Sequence, residues 1–518
     1  MSEQVKKITI VGGGTAGWIT AGLLAAEHAC HANATIEITL IESPDILPIG
    51  VGEGTWPSMR NTLKKMGISE NEFLINCDAS FKQGSQFISW LNNDQQHYYH
   101  PFTLPANFHE INLAQYWLKY REQVSFTDAV TMQGQLCDTG LAPKQISTAE
   151  YSFNANYGYH LDAGKFSVFL QKHCTEKLNV KHVLDNVSKV NSASNGDIAS
   201  VSTKKNGDIS GDLFIDCSGS HALLIGQHFN VPFNNKKDIL FNDSALAVQV
   251  PYQDADNEIA SCTKSTATTS GWIWDIGLQS RRGVGHVYSS AHSSDEQAEK
   301  TLREYITPSL GEKAAESATI RKLNINPGYR EKFWHKNCVA IGMSAGFIEP
   351  LEASAIALIE LSASMISEQM PANRTVMDII AQRFNTKFEQ RWQRIIEFLK
   401  LHYVLSKRTD SDYWLDNRAK NTIPEHLQQQ LQLWQHQVPY NYDITHTEEL
   451  FPAASFQYIY YGMAGKTNNY LSLSQEKSHA LAEQLFQENG KKTQHFLKTL
   501  TSNRALLDKV KTFGFPKI

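Results

Sequence analysis

Apolar positions along the chain change their spacing from segment to segment, and each spacing predicts an element. Near the start, the continuous run Ile8–Val11 meets three glycines and gives way to WITAGLLAA, apolar at helical intervals, so a strand, a tight turn and a helix are predicted. A second strand, ATIEITLIES, ends at Glu42. VSTKKNGDISGDLFIDCSGS carries a hairpin-like polar turn and then a strand, Leu213–Ile215, closing in Asp216, Cys217, Ser218 and Gly219. NCVAIGMSAGFIEPLEAS predicts a strand at Val339–Ile341, a turn of small residues from Gly342 to Gly346, and a helix beginning near Ser354. In GWIWDIGL, period-two alternation sends Trp272, Trp274 and Ile276 to one face of a strand. A wall of that kind either fills a core or lines a pocket. Over residues 375–405 the apolar positions (Met377, Ile380, Phe384, Phe388, Trp392, Ile396, Leu399) recur as on a helix packed against a core. Helical segments continue through 423–436 and 474–512, with polar breaks at 407–411 and 439–447. The pattern groups residues 1–375 as a core with inserted segments and 376–518 as a mainly helical part, the two forming one integrated unit.

Composition narrows the function classes. A net charge of −5 and a pI near 6.4 give no basic field for nucleic acid or anionic lipid. The seven cysteines are scattered without a C-x-x-C pair, which favours reduced thiols in a cytoplasm over a disulfide framework or a metal site. Lys6 and Lys7 before the first apolar run resemble the start of a signal peptide, but the glycines inside that run sit where another motif needs them. No other run is long enough to span a bilayer, so no membrane partner is expected.

That motif is Gly12-x-Gly14-x-x-Gly17 between strand and helix. Gly12 permits the tight turn, Gly14 lets the backbone approach a pyrophosphate, and Gly17 allows close packing of helix on strand; the helix N-terminus then offers N–H groups and a partial positive charge. Glu42, 25 positions beyond Gly17, is placed to accept hydrogen bonds from ribose hydroxyls. NAD and FAD share this turn. Three strand-to-small-residue junctions spread from Gly12 to Gly346 point to one site assembled from distant pieces, as in FAD-binding folds, rather than a compact NAD module. The fold class expected is therefore α/β, an FAD-binding Rossmann-like core of the glutathione-reductase or monooxygenase type, with mixed sheets and a helical carboxy-terminal part.

The blocks GGGTAGW, IGVGEGTWP (49–57), YHLDAGKFSVFL (159–170), FIDCSGS (214–220), GWIWDIGL, GFIEPLEAS (346–354) and HYVLSKRTDSDYW (402–414) resemble, in order, those of the flavin-dependent halogenases, best known from the tryptophan halogenases. The resemblance spans nearly the whole chain. It implies FAD, used as FADH2 delivered by a separate NADH-dependent flavin reductase, with O2 and chloride or bromide as co-substrates. Hypohalous acid formed from these would halogenate a free, electron-rich aromatic such as an indole. By the resemblance, Gly12, Gly14, Thr15, Ala16, Gly17, Glu42, Val51, Gly52, Glu53 and Gly342 hold the flavin. Lys82 in ASFKQGSQF corresponds to the lysine that holds the oxidant, and Glu352 to the family's essential glutamate. Without the resemblance, the favoured reading of Lys82 is a surface lysine with a packed stem.

The halide site corresponds to the backbone at Ser354 and Ala355, where many members have a threonine and a glycine. Trp272 and Trp274 match the block whose indoles lie near the flavin, with Gly277 replacing a proline. His100 and Phe102 match a ring pair beside the substrate, and Phe456 falls where a sandwiching tryptophan stands. Equivalents of the polar groups that hold a tryptophan backbone are not evident, so the substrate expected is an indole-like or other small aromatic. A homodimer is among the partner options. The rival readings are a flavin monooxygenase and a non-catalytic flavoprotein on the same fold.

Overall fold

A computed structural model describes residues 4–30, 34–46, 52–443, 450–468 and 471–517. The chain divides into two compact units that interleave along the sequence: Met1–Asp78 with Leu161–Lys236 and Asn326–Trp392, and Ala79–His160 with Lys237–Ile325 and Gln393–Ile518. This packing division differs from the 1–375 and 376–518 grouping expected from the sequence, because both units are built from returning segments that local patterns do not pair.

The first unit is built on a six-stranded sheet. Its strands run in the order Trp334–His335, Cys338–Ala340, Leu213–Asp216, Lys7–Val11, Glu37–Glu42, Lys181–Leu184. All neighbours are parallel except the Trp334–His335 edge. Parallel strands buried on both faces read as continuous apolar runs, and ITIV, ITLI and LFI do. The helix Thr15–His28 follows the first strand. The connection from Lys181–Leu184 to Leu213–Asp216 carries a three-stranded antiparallel sheet, Val187–Ser192, Ile198–Thr203 and Gly207–Ser210, whose last hairpin is the predicted polar turn.

The second unit centres on a seven-stranded sheet in the order Arg321–Asn324, Ser244–Pro251, Arg281–Tyr288, Gly271–Gly277, Thr263–Ala267, Gly84–Ile88, His97–Pro101. Every pairing is antiparallel except Thr263–Ala267 with Gly84–Ile88. The strand Gly271–Gly277 is buried throughout. Ile273 joins Leu246, Val248 and Val284 under the helix Asp295–Leu310, while the two indoles take the opposite face. There Trp272 meets Trp90 (ring centroids 6.4 Å), which in turn packs on Tyr403 and Trp414 at 5.2 and 5.8 Å. Trp274 lies over Gly285, where an added Cβ would come within 2.1 Å of the indole. The two-residue spacing of the indoles is thus met by an aromatic core and a complementary glycine. The helix Arg374–Val404 matches the predicted 375–405, and Glu425–Trp434, Leu473–Lys477, His479–Thr499 and Asn503–Phe513 supply the expected carboxy-terminal helices. Among the described residues no helix is long and apolar enough to cross a membrane.

Candidate functional site

The glycine turn has the geometry its spacing demands. Gly12 adopts φ +120°, and a Cβ there would fall 2.1 Å from the Cys217 carbonyl oxygen; one at Gly17 would fall 1.9 Å from the Gly12 carbonyl oxygen. Gly14 is the N-cap of the helix Thr15–His28, without a side-chain cap, and nothing lies within 4 Å of where its Cβ would be. Two glycines are therefore fixed by packing, whereas the third keeps space open in front of uncapped N–H groups. A pyrophosphate fits that cradle by charge and by shape. Thr15 and Ala16 begin the helix, and the Thr15 hydroxyl lies 3.4 Å from that of Ser167.

Glu42 ends the neighbouring strand against Gly13, with His182 Nε2 2.9 Å from its carboxylate. Gly342 takes φ +73°, and its Cβ would crowd Ala16 at 2.9 Å, so the third junction closes on the same helix. The Asp216 carboxylate accepts from the backbone N–H groups of Ser218, Leu224 and Ile225 at 2.7–3.0 Å, fixing the loop after its strand. Gly52 and Glu53 lie on the short strand Gly52–Gly54; desolvation among crowded protein atoms pushes the Glu53 carboxyl up to about 7. Val51 lies outside the described residues.

Glu352 sits in the first unit, on the turn before the helix Ser354–Glu368, where the predicted start at Ser354 is met. Glu352 and Ala353 both have left-handed backbone (φ 68° and 56°), a conformation that costs a non-glycine residue roughly 1–2 kcal/mol. Such strain persists only where the surroundings enforce it. Here the Trp56 indole donates to the Glu352 carbonyl at 2.7 Å, and Ala353 N–H donates to the Pro350 carbonyl at 3.0 Å. The left-handed pair followed by right-handed Ser354 turns successive N–H groups of Ser354 and Ala355 to the same side, an anion-binding arrangement at a helix N-terminus. Ala355 is itself helical, so the position does not call for glycine. Two turns along, buried Glu360 accepts from the hydroxyls of Ser58 (2.9 Å) and Thr62, and burial pushes its carboxyl up to about 7.

The second unit holds Lys82 and the ring residues. Lys82 ends the strand Ser80–Lys82, paired antiparallel with Gly158–His160, and is 1% exposed, so the reading as a surface lysine falls away. Its ammonium stands 5.3 Å from the centre of the half-buried Phe102 ring. The backbone around it is pinned: Ser80 Oγ donates to the Gly277 carbonyl at 2.5 Å, and Gln83 N–H donates to the Ser261 carbonyl at 2.7 Å. Gly277, which has no positive φ, thus serves as an acceptor against the lysine strand.

His100 is buried, with Nε2 2.8 Å from the Ser455 hydroxyl and its ring near Phe398, Phe451 and Tyr458 (5.5–6.3 Å). Phe456 stands edge-on to Phe398 at 5.0 Å and 5.7 Å from Trp434. His100 and Phe456 therefore share Phe398 as a neighbour. Trp272 and Trp274 belong to the core face described above. Trp56, Ser455 and Glu360 were not singled out from sequence; Trp56 lies within the quoted block IGVGEGTWP, while nothing local marks the other two.

The parallel sheet, the three-stranded crossover and the glycine cradle define an enzyme core of the Rossmann-like FAD-binding class. Comparison with known proteins narrows it. The tryptophan halogenase family model matches residues 7–479. The chain is 34% identical over 467 residues to tryptophan 6-halogenase SttH of Streptomyces toxytricini, covering 86% of each protein. It is 32% identical over 481 residues to tryptophan 7-halogenase RebH of Lentzea aerocolonigenes, covering 89% of this chain and 86% of that one. Among solved structures, the tryptophan halogenase of Shewanella frigidimarina NCIMB 400 superposes with a TM-score of 0.97 at 55% identity, over 100% of this chain and 99% of that one. Tar14, a tryptophan C-6 flavin-dependent halogenase from taromycin biosynthesis, gives 0.90 at 31% identity, over 98% and 100%. The chain belongs to the tryptophan halogenase family and is a flavin-dependent halogenase, an oxidoreductase.

Proposed function

We propose that this enzyme halogenates a free, electron-rich aromatic of the indole or tryptophan type. The observation that carries this is the buried Lys82 ammonium beside the Phe102 ring, a cation placed where water is scarce and an aromatic face is near. Bound FADH2, with O2 and chloride or bromide, supplies hypohalous acid; a separate NADH-dependent reductase supplies the reduced flavin. Gly12, Gly14 and Gly17 with the N–H groups of Thr15 and Ala16 hold the pyrophosphate, and Glu42 takes the ribose. Gly52, Glu53 and Gly342 complete the cofactor contacts, while the N–H groups of Ser354 and Ala355 hold the halide.

Lys82 donates a hydrogen bond to the oxygen of hypohalous acid, which polarises the O–X bond. The reaction is ArH + HOX → ArX + H2O. As the ring carbon bonds the halogen and the O–X bond breaks, Lys82 gives the departing oxygen its proton and Glu352 takes the proton lost from the ring. Proton transfer of this kind is worth about 10²–10⁴ in rate. His100, Phe102 and Phe456 hold the ring by offset and edge contacts. The seven free thiols suit a reducing cytoplasm.

The test combines the protein with FAD, a flavin reductase, NADH, indole or tryptophan, and bromide or chloride, and reads product mass. A halogen isotope pattern that depends on halide supports the proposal. A hydroxylated product independent of halide would replace it with the monooxygenase reading.

A further inference from the structure

His160 lies directly opposite Ser80 on the strand paired with the lysine strand, and Lys82 is two residues from Ser80. By the alternation of a strand, His160, Ser80 and Lys82 share one face, with His160 diagonal to Lys82. The imidazole is fully buried. Its Nε2 lies 2.8 Å from the Thr263 hydroxyl, and its Nδ1 is buried with no hydrogen-bond partner among the described residues. An orphaned ring nitrogen is costly unless it serves something nearby. Burial first, and the charge of Lys82 second, hold His160 well below the usual histidine range, so the ring is neutral. A neutral imidazole has one N–H and one lone pair. Beside a buried cation the favoured tautomer places N–H at Nε2, toward Thr263, and the lone pair at Nδ1, because an N–H turned toward an ammonium would be repelled.

We propose that His160 is a positioning residue whose Nδ1 lone pair, through one water, holds the Lys82 ammonium in its working orientation. The inference rests on the role given to Lys82 above, but it concerns a residue that never touches the substrate. Thr263 fixes the ring, the ring fixes the lysine, and Lys82 is kept charged and aimed.

Two substitutions separate this from a purely structural role. In His160→Asn the amide oxygen can replace Nδ1, whereas in His160→Gln the amide reaches the Nε2 position and keeps the Thr263 contact. The proposal expects His160→Gln to lose at least about tenfold in halogenation kcat, with little change in the KM for indole, and His160→Asn to stay within about threefold. The reverse ranking, or wild-type kcat in both, overturns it.

A second readout needs neither flavin nor turnover. Reductive methylation of Lys82 with formaldehyde and cyanoborohydride, mapped by mass spectrometry on folded, flavin-free protein, reports the free-amine fraction. Without its acceptor the ammonium loses its proton more easily, so Lys82 in His160→Gln should be methylated at least about threefold faster than in wild type, and in His160→Asn at the wild-type rate. Equal rates in all three proteins overturn the proposal. Faster methylation in His160→Gln without any halogenation by wild type would leave the His160–Lys82 link standing and refute the assigned reaction instead.

Discussion

The glycine turn predicts two opposite failures from one kind of substitution. In Gly12→Ala the new methyl meets the Cys217 carbonyl oxygen at 2.1 Å while the backbone sits at φ +120°. Left-handed backbone costs roughly 1–2 kcal/mol, and forcing a methyl into packed backbone costs about 1–3 kcal/mol more. Gly12→Ala should therefore destabilise the flavin-free protein by roughly 2–5 kcal/mol. In Gly14→Ala the methyl meets nothing within 4 Å, and only the weaker N-cap is lost, about 0.5–1 kcal/mol. That methyl occupies the space where a pyrophosphate must approach the uncapped N–H groups. Loss of one charge-assisted hydrogen bond there is worth about 1.5–3 kcal/mol, roughly a tenfold to hundredfold weaker Kd for FAD. Denaturant unfolding of flavin-free protein measures the first effect, and quenching of FAD fluorescence on titration measures the second. A Gly14→Ala protein that binds FAD like wild type, or a Gly12→Ala protein of unchanged stability, would refute the reasoning.

Other substitutions test the remaining parts. Lys82→Met should leave FAD affinity unchanged and lower the yield of halogenated product by at least about a hundredfold, read by liquid chromatography and mass spectrometry. Glu360, raised from an ordinary 4.5 to about 7, binds a proton in the folded state that the unfolded chain has already released between those values, so wild-type stability falls as pH rises through that window. Glu360→Gln removes that dependence; relative to wild type its stability should rise by up to roughly 3 kcal/mol from pH 4.5 to 7, and a constant difference in urea unfolding across the window would contradict it. Because Ala355 is already helical, Ala355→Gly should change kcat with either halide by less than about twofold, and should lower stability by roughly 0.5–1 kcal/mol in the same unfolding assay.

Local pattern made the first unit's glycine turn legible. Strand, glycine turn and helix follow each other directly along the chain; Gly12 and Gly17 each answer a close backbone contact, and Gly14 leaves open space. The helix starting at Ser354 and the long helix Arg374–Val404 follow from apolar periodicity alone. The left-handed backbone at Glu352 and Ala353 was not legible, since neither residue prefers it; a distant indole on Trp56 holds it in place. Likewise, Trp272 finds Trp90, and His100 finds Ser455, across long stretches of chain that no periodicity links. His160 stood inside the quoted block YHLDAGKFSVFL, yet its relation to Lys82 needs the strand register, which the sequence does not display.

The helix Asn503–Phe513 bears on the order in which the molecule is made. Asn503 donates to the Phe81 carbonyl at 3.1 Å, beside Lys82 in the chain, and Arg504 donates to the Gln279 carbonyl at 2.7 Å. On a ribosome adding about 5–20 residues per second, the segments of the first unit are all available once Trp392 has emerged, whereas the lysine strand waits for Asn503. A nascent chain can thus complete the segments of the first unit while the strand that carries Lys82 still lacks its carboxy-terminal contacts. The strand that carries Lys82 is among the last parts of such a chain to be fully held.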